Sequence, residues 1–222
     1  MEIRTRPVRI YRWITLVLAL AYLAWQGWTA TNWPAGGPFR YLTIWALTLS
    51  AYSASRMLAL SYGRITRRHE VTAICASVLN VMVVFLYWKL FFEDPALVNG
   101  NGDIPFLEQY YLHALGPALQ ILDAGLIARA YRRVWRGVLP LLGIILAYVA
   151  WAELYVQPRA DMPAGPVTSG LPYPFLNALD WPDRLVFYAS NGVVAMLVLG
   201  ALGLLGLGIG RLLHAEKAHP PA

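Results

Sequence analysis

The chain has 222 residues, of which 58% are hydrophobic and only 14% charged, and its mean hydropathy is +0.49. A water-soluble domain carries about a quarter charged residues because its surface faces solvent, so this composition excludes an ordinary soluble enzyme. The formal charge of +6 does not point to nucleic acid, because the basic residues are confined to particular connections between apolar stretches.

In chain order, six apolar stretches are long enough to cross a bilayer core, which takes about 20 residues of helix. They run over Trp13–Thr29, Tyr41–Tyr62, Val71–Phe92, Leu107–Tyr131, Val138–Val156 and Leu185–Leu213. Polar or Pro/Gly-rich stretches separate several of them, at Asn32–Pro38, Pro95–Pro105 and Gln157–Asp183. The first follows a basic stretch, as a secretory signal does. With five stretches behind it and no small-residue cleavage pattern, it is expected to stay as a signal anchor. The expected fold is all-α: one domain over 1–222, a bundle of six transmembrane helices. A lone Cys75 excludes an internal disulfide. The Gly206–Gly210 spacing in the last stretch is a helix-packing pattern.

The charges orient this bundle. Cytoplasmic loops are enriched in Lys and Arg. Arg4, Arg6, Arg9 and Arg12 precede or begin the first stretch, and Arg64, Arg67 and Arg68 lie between the second and third. Arg129, Arg132, Arg133 and Arg136 join the fourth and fifth, and Arg211 and Lys217 lie in or beyond the end of the last. The other side carries only Arg40, Lys89, Arg159 and Arg184, among Glu93, Asp94, Asp103, Glu108, Asp161, Asp180 and Asp183. Both termini are therefore expected in the cytoplasm.

Polar groups at membrane depth are costly, and each is a candidate for function. The set is Thr43, Arg56, Asn80, His113, Gln120, Asp123, Glu153 and Asn191. Thr43, His113 and Glu153 all fall near the outer ends of their stretches, His113 about 9 Å inside by helical rise. Asp123 is ten residues further on, roughly 15 Å nearer the cytoplasm. Each has a bland reading too. A transmembrane Thr commonly bonds its own preceding turn, and buried carboxylates pair with arginines such as Arg56 or Arg159, or with tyrosine hydroxyls. Phosphate loops, nucleophile elbows and metal-binding Cys/His clusters are missing from the sequence, so no cofactor or metal is expected.

Four motifs in order resemble those of the androgen-induced integral-membrane lipid hydrolases. Gly36-Gly37-Pro38-Phe39-Arg40-Tyr41-Leu42-Thr43 is similar to that family's Gly-Gly-x-x-Lys/Arg-x-Leu-Thr segment. Ile104-Pro105, then Leu112-His113 and Pro117, resemble its Ile-Pro…His…Pro stretch. Tyr148-x-x-Trp151, and Tyr173-Pro174-Phe175-Leu176 with Arg184-x-x-Phe187, complete the likeness over nearly the whole chain. The resemblance implies a threonine hydrolase buried in the bilayer, cleaving fatty acid esters of hydroxy fatty acids, with Thr43 as nucleophile and His113 in support.

The chemistry suits those types. A threonine hydroxyl needs a base to take its proton, and imidazole titrates near the working pH. Glu153 is the expected orienting group for the ring by depth, with Asp123 as the fallback; Gln109, Tyr110, Tyr111 and Asn191 are candidate oxyanion donors. The expected partners are the lipid ester and the surrounding membrane lipids, in a bacterial inner membrane with the site toward the extracytoplasmic half. A different class remains open. His113, Asp123 and Glu153 also suit a proton or ligand path in a small transporter or lipid-binding protein, and a purely structural bundle is the third reading.

Overall fold

The computed structural model describes residues 3–29, 35–99, 105–159 and 170–218, apart from the side chains of Pro174 and of 213–218. Asn32, Asp103, Ile104, Asp161 and His219 thus lie outside the described residues. Among those described there are helices and turns but no strand.

Six long helical segments appear where the apolar stretches predict them. They are α1 (Arg6–Thr29), α2 (Leu42–Ser61), α3 (Glu70–Glu93), α4 (106–127), α5 (138–156) and α6 (Trp181–Ala218). Four helical stretches are long and apolar enough to cross a membrane: Arg6–Thr29, Glu70–Glu93, Ala130–Arg159 and Trp181–Leu212. The second and fourth segments are not among these four. Both are rich in polar residues turned inward: Ser50, Ser53 and Ser61 on α2, and Gln109, His113, Gln120 and Asp123 on α4, are all buried.

α3 is the central helix. Its most apolar window is 61% buried, against 17–28% for the other three. Ile74 and Val78 are fully enclosed, in a core shared with Met57 of α2, Ala124 of α4, Leu141 of α5 and Leu199 of α6. The outer faces of α1, α5 and α6 leave leucines and tryptophans exposed, as lipid-facing helices do. α6 makes its closest approach through Gly203 and Gly206. A Cβ on Gly206 would stand 2.8 Å from the Tyr131 backbone, and one on Gly203 would stand 2.7 Å from Val134. Gly210 faces open space, so the packing pair sits one turn earlier than the Gly206–Gly210 spacing predicts.

Three segments differ from the sequence reading, among them α6, which runs Trp181–Ala218 instead of Leu185–Leu213 and so takes in Arg184. α1 begins at Arg6 rather than Trp13, which places Arg12 inside the helix. Arg12 is completely buried, not a loop cation. The fourth helix stops at Ile127 instead of reaching Tyr131, because Arg129 takes a left-handed conformation (φ 53°) and a 3-10 turn, Ala130–Gly137, leads into α5.

Three π-helical turns interrupt the α-helical ladders: Tyr111–Leu115 and Asp123–Ile127 in α4, and Ala152–Val156 closing α5. Each contains one ionisable candidate: His113, Asp123 and Glu153 in turn. Such turns are rare and concentrate at functional positions, because the extra residue widens the helix and re-aims side chains.

Candidate functional site

Thr43 is the second residue of α2 and borders a small cavity. The polar part of the lining comes from four helices: Thr15 on α1, Thr43 and Ser50 on α2, Asn80 on α3 and Gln120 on α4. The volume, about 10 Å³, is room for about one water. Hydrogen bonds fix the wall: Asn80 Nδ2 donates to Ser50 Oγ (2.8 Å), Gln120 Nε2 to Ser53 Oγ (3.1 Å) and Thr15 Oγ1 to the Tyr11 carbonyl (3.0 Å). Thr43 makes none of these bonds.

His113 stands in the π turn whose neighbours Tyr111, Leu112 and Gly116 line the same cavity. Its ring faces α3, stacked on Tyr87 with centroids 3.5 Å apart and planes within 5°. Tyr87 is held in turn by its hydroxyl, which donates to Asn99 Oδ1 at 3.0 Å. The His113 Nδ1 lies 3.0 Å from the Gln109 carbonyl. A carbonyl only accepts, so Nδ1 carries the proton and Nε2 of the neutral ring keeps its lone pair. Pro117 explains the local backbone. It has no N–H to offer the carbonyl four residues back, that of His113, and the Trp88 indole N–H donates to that carbonyl instead at 2.7 Å.

Thr43 and His113 share no hydrogen bond. The first borders the cavity and the second lies against Tyr87.

The two carboxylates are elsewhere and occupied. Asp123 accepts from Arg12 Nε (3.0 and 3.1 Å) and Nη2 (2.8 Å), while Arg12 Nη1 donates to the Met57 carbonyl and Ser61 Oγ. Glu153 accepts from Arg184 Nε (3.0 Å) and Nη2 (3.3 Å) and from the Tyr188 hydroxyl (2.7 Å). Neither carboxylate orients the His113 ring. The partners are Arg12 and Arg184, not Arg56 or Arg159, because Arg12 lies within α1 and Arg184 on the first turns of α6. Of the candidate oxyanion donors, Tyr111 lines the cavity, stacked on Tyr22 at 3.8 Å. Tyr110 is 43% exposed beside Phe106, Gln109 is buried and gives its carbonyl to His113, and Asn191 bonds its own helix at the Phe187 carbonyl.

The remaining motif residues form a roof next to Thr43. Gly36 (φ 86°) and Gly37 (φ 51°) make a left-handed turn, and a Cβ on Gly36 would stand 2.8 Å from Val156 and 3.4 Å from the Trp151 indole. Arg40 is fully buried and donates through Nη2 to the Gly170 and Leu171 carbonyls. The Tyr148 hydroxyl donates to the Arg40 carbonyl at 3.1 Å, and Tyr173 meets Tyr41 edge-on. Segments more than a hundred residues apart are thereby clamped over the start of α2. A family model for FAR-17a/AIG1-like protein matches residues 9–206, which takes in all these segments. The chain belongs to the FAR-17a/AIG1-like family, that of androgen-induced gene 1. No curated protein and no solved structure matches it. Membership is compatible with a membrane hydrolase, and the apolar helices fit an integral membrane protein.

Proposed function

We propose that this family member is an intramembrane lipid esterase, cleaving fatty acid esters of hydroxy fatty acids or similar lipid esters, with Thr43 as nucleophile and His113 as base. The bundle crosses the membrane six times with both termini in the cytoplasm, so the site lies toward the extracytoplasmic half of what we take to be a bacterial inner membrane. The substrate's tails stay in the bilayer while its ester reaches the polar layer.

In this reading the Thr43 hydroxyl attacks the ester carbonyl as His113 Nε2 takes its proton. The proton passes to the leaving alkoxide, releasing the hydroxy acid. Water then attacks the acyl-threonine, again deprotonated by His113, and frees the fatty acid. Tyr111 is a donor at the cavity for the developing oxyanion. The observation that carries the reading is the shared cavity. Thr43 forms part of its wall, and the π turn bearing His113 forms another. Because the two side chains share no hydrogen bond and the His113 ring is stacked on Tyr87, that ring has to leave Tyr87 when substrate binds. Catalytic hydrogen bonds often tighten only in the substrate complex, and a π turn has the spare residue that permits a register change.

Reconstituted wild-type protein is expected to hydrolyse such esters. Thr43→Ala should reduce the rate to background and His113→Ala should cost about 10²–10⁴-fold. Undiminished hydrolysis by Thr43→Ala would sink the proposal.

A further inference from the structure

Three arginines collect where the N-terminal end of α1 meets the end of α2. The turn that brings them together follows from Gly63. α2 closes with the Gly63 N–H donating to the Leu60 carbonyl and the Arg64 N–H to the Ala59 carbonyl, both at 3.0 Å, with Gly63 at φ +70°. This left-handed glycine closure reverses the chain after Tyr62. Arg64 then lies over the Tyr62 ring, its guanidinium carbon 5.7 Å from the centroid. Arg9 of α1 lies over the same ring at 4.9 Å. The Arg4 guanidinium stands 3.7 Å from where a Cβ on Gly63 would be.

No carboxylate among the described residues accompanies them. The ion pairs there are Arg12–Asp123 and Arg184–Glu153. Arg9 Nε is buried and has no hydrogen-bond partner. Like charges gathered around one ring repel, and a buried donor without an acceptor is costly, so the cluster is built for an anion.

Its depth identifies the anion. Trp13, one turn after Arg9 on the same helix face, donates its indole N–H to the Tyr62 hydroxyl at 3.2 Å. Both rings are about half exposed, as amphipathic aromatics at headgroup level are. From there Ile10, Ile14 and Val17 continue along α1 as an exposed apolar strip suited to acyl chains. A soluble phosphate has no use for that strip, whereas a lipid uses both parts.

We infer that Arg4, Arg9 and Arg64 form a binding site for the phosphate of an anionic glycerophospholipid, whose chains lie along α1. Guanidinium forks match phosphate oxygens two at a time, so arginine serves here better than a single point charge.

Native mass spectrometry of the full chain, titrated with phosphatidylglycerol or phosphatidylcholine in detergent, tests this. Wild type should retain phosphatidylglycerol preferentially. Arg9→Gln and Arg64→Gln should each weaken that retention about five-fold. Arg132→Gln/Arg136→Gln, on the other basic connection, should leave it unchanged. Arg9→Lys keeps the charge and should hold part of the preference, and thermal melting in detergent confirms that each variant is folded. An equal loss in the Arg132/Arg136 variant would reduce the site to general surface charge. Displacement of the lipid by excess inorganic phosphate would make it a soluble-anion site. Either result overturns the inference.

Discussion

The two carboxylates at membrane depth and the two groups assigned to chemistry are treated in opposite ways by the surrounding protein. Asp123 and Glu153 each sit in a π turn facing an arginine from a distant helix, with further hydrogen bonds completing the pair. Thr43 and His113 meet no charge. One borders a water-sized cavity, and the other is stacked on an aromatic ring with one nitrogen committed to a carbonyl. A charge inside a bilayer has to be neutralised, so a paired carboxylate is spent on the fold. A neutral hydroxyl and a neutral imidazole are tolerated there without ion partners, which leaves their lone pairs available for reaction.

Five variants test this contrast. The largest effect is expected at the neutral pair. In the esterase assay, Thr43→Ala should lose turnover entirely while its melting temperature in detergent stays near wild type. Next is Asp123→Ala, which strands a fully buried Arg12 and should cost about 3–5 kcal/mol in unfolding free energy. The double variant Arg12→Met/Asp123→Leu should recover most of that loss, and a failure to do so would mean the pair does more than neutralise itself. Glu153→Gln keeps the shape, and its site is less enclosed: Arg184 retains 12% side-chain exposure, against 1% for Arg12. Chemical or thermal denaturation should show a loss of about 1–3 kcal/mol, with hydrolysis within a few-fold of wild type. Abolished hydrolysis in a folded Glu153→Gln protein would instead restore Glu153 as the orienting group. A stability loss of the same size is expected at the roof. Gly36→Ala forces a side chain into the left-handed region against Val156, at a cost of about 1–3 kcal/mol in a melt.

Much of the scaffold was legible in the chain. α2 and α3 fall within a residue of Tyr41–Tyr62 and Val71–Phe92, since long apolar runs bounded by polar turns leave little choice. The sequence pattern starts the first helix late, because Arg6, Arg9 and Arg12 read as a flanking loop. Nothing local signals that Arg12 belongs to Asp123, 111 residues away. The same holds for Arg184 and Glu153. The candidates themselves were legible from the rarity of polar groups in apolar stretches, and the motifs around Thr43 proved to be neighbours in space. The direction of the His113 ring was not, because it depends on Tyr87 and on a π turn that composition does not encode. Pro117 was the one available clue: a proline four residues after His113 frees that residue's carbonyl, and Trp88 takes it.

Covalent labelling decides whether Thr43 is the nucleophile. Reconstituted protein is treated with a lipid-tailed fluorophosphonate, digested, and the modified peptide mapped. One adduct is expected, on Thr43, absent in Thr43→Ala and formed far more slowly in His113→Ala. An adduct on any other residue, or labelling that persists in Thr43→Ala, contradicts that assignment.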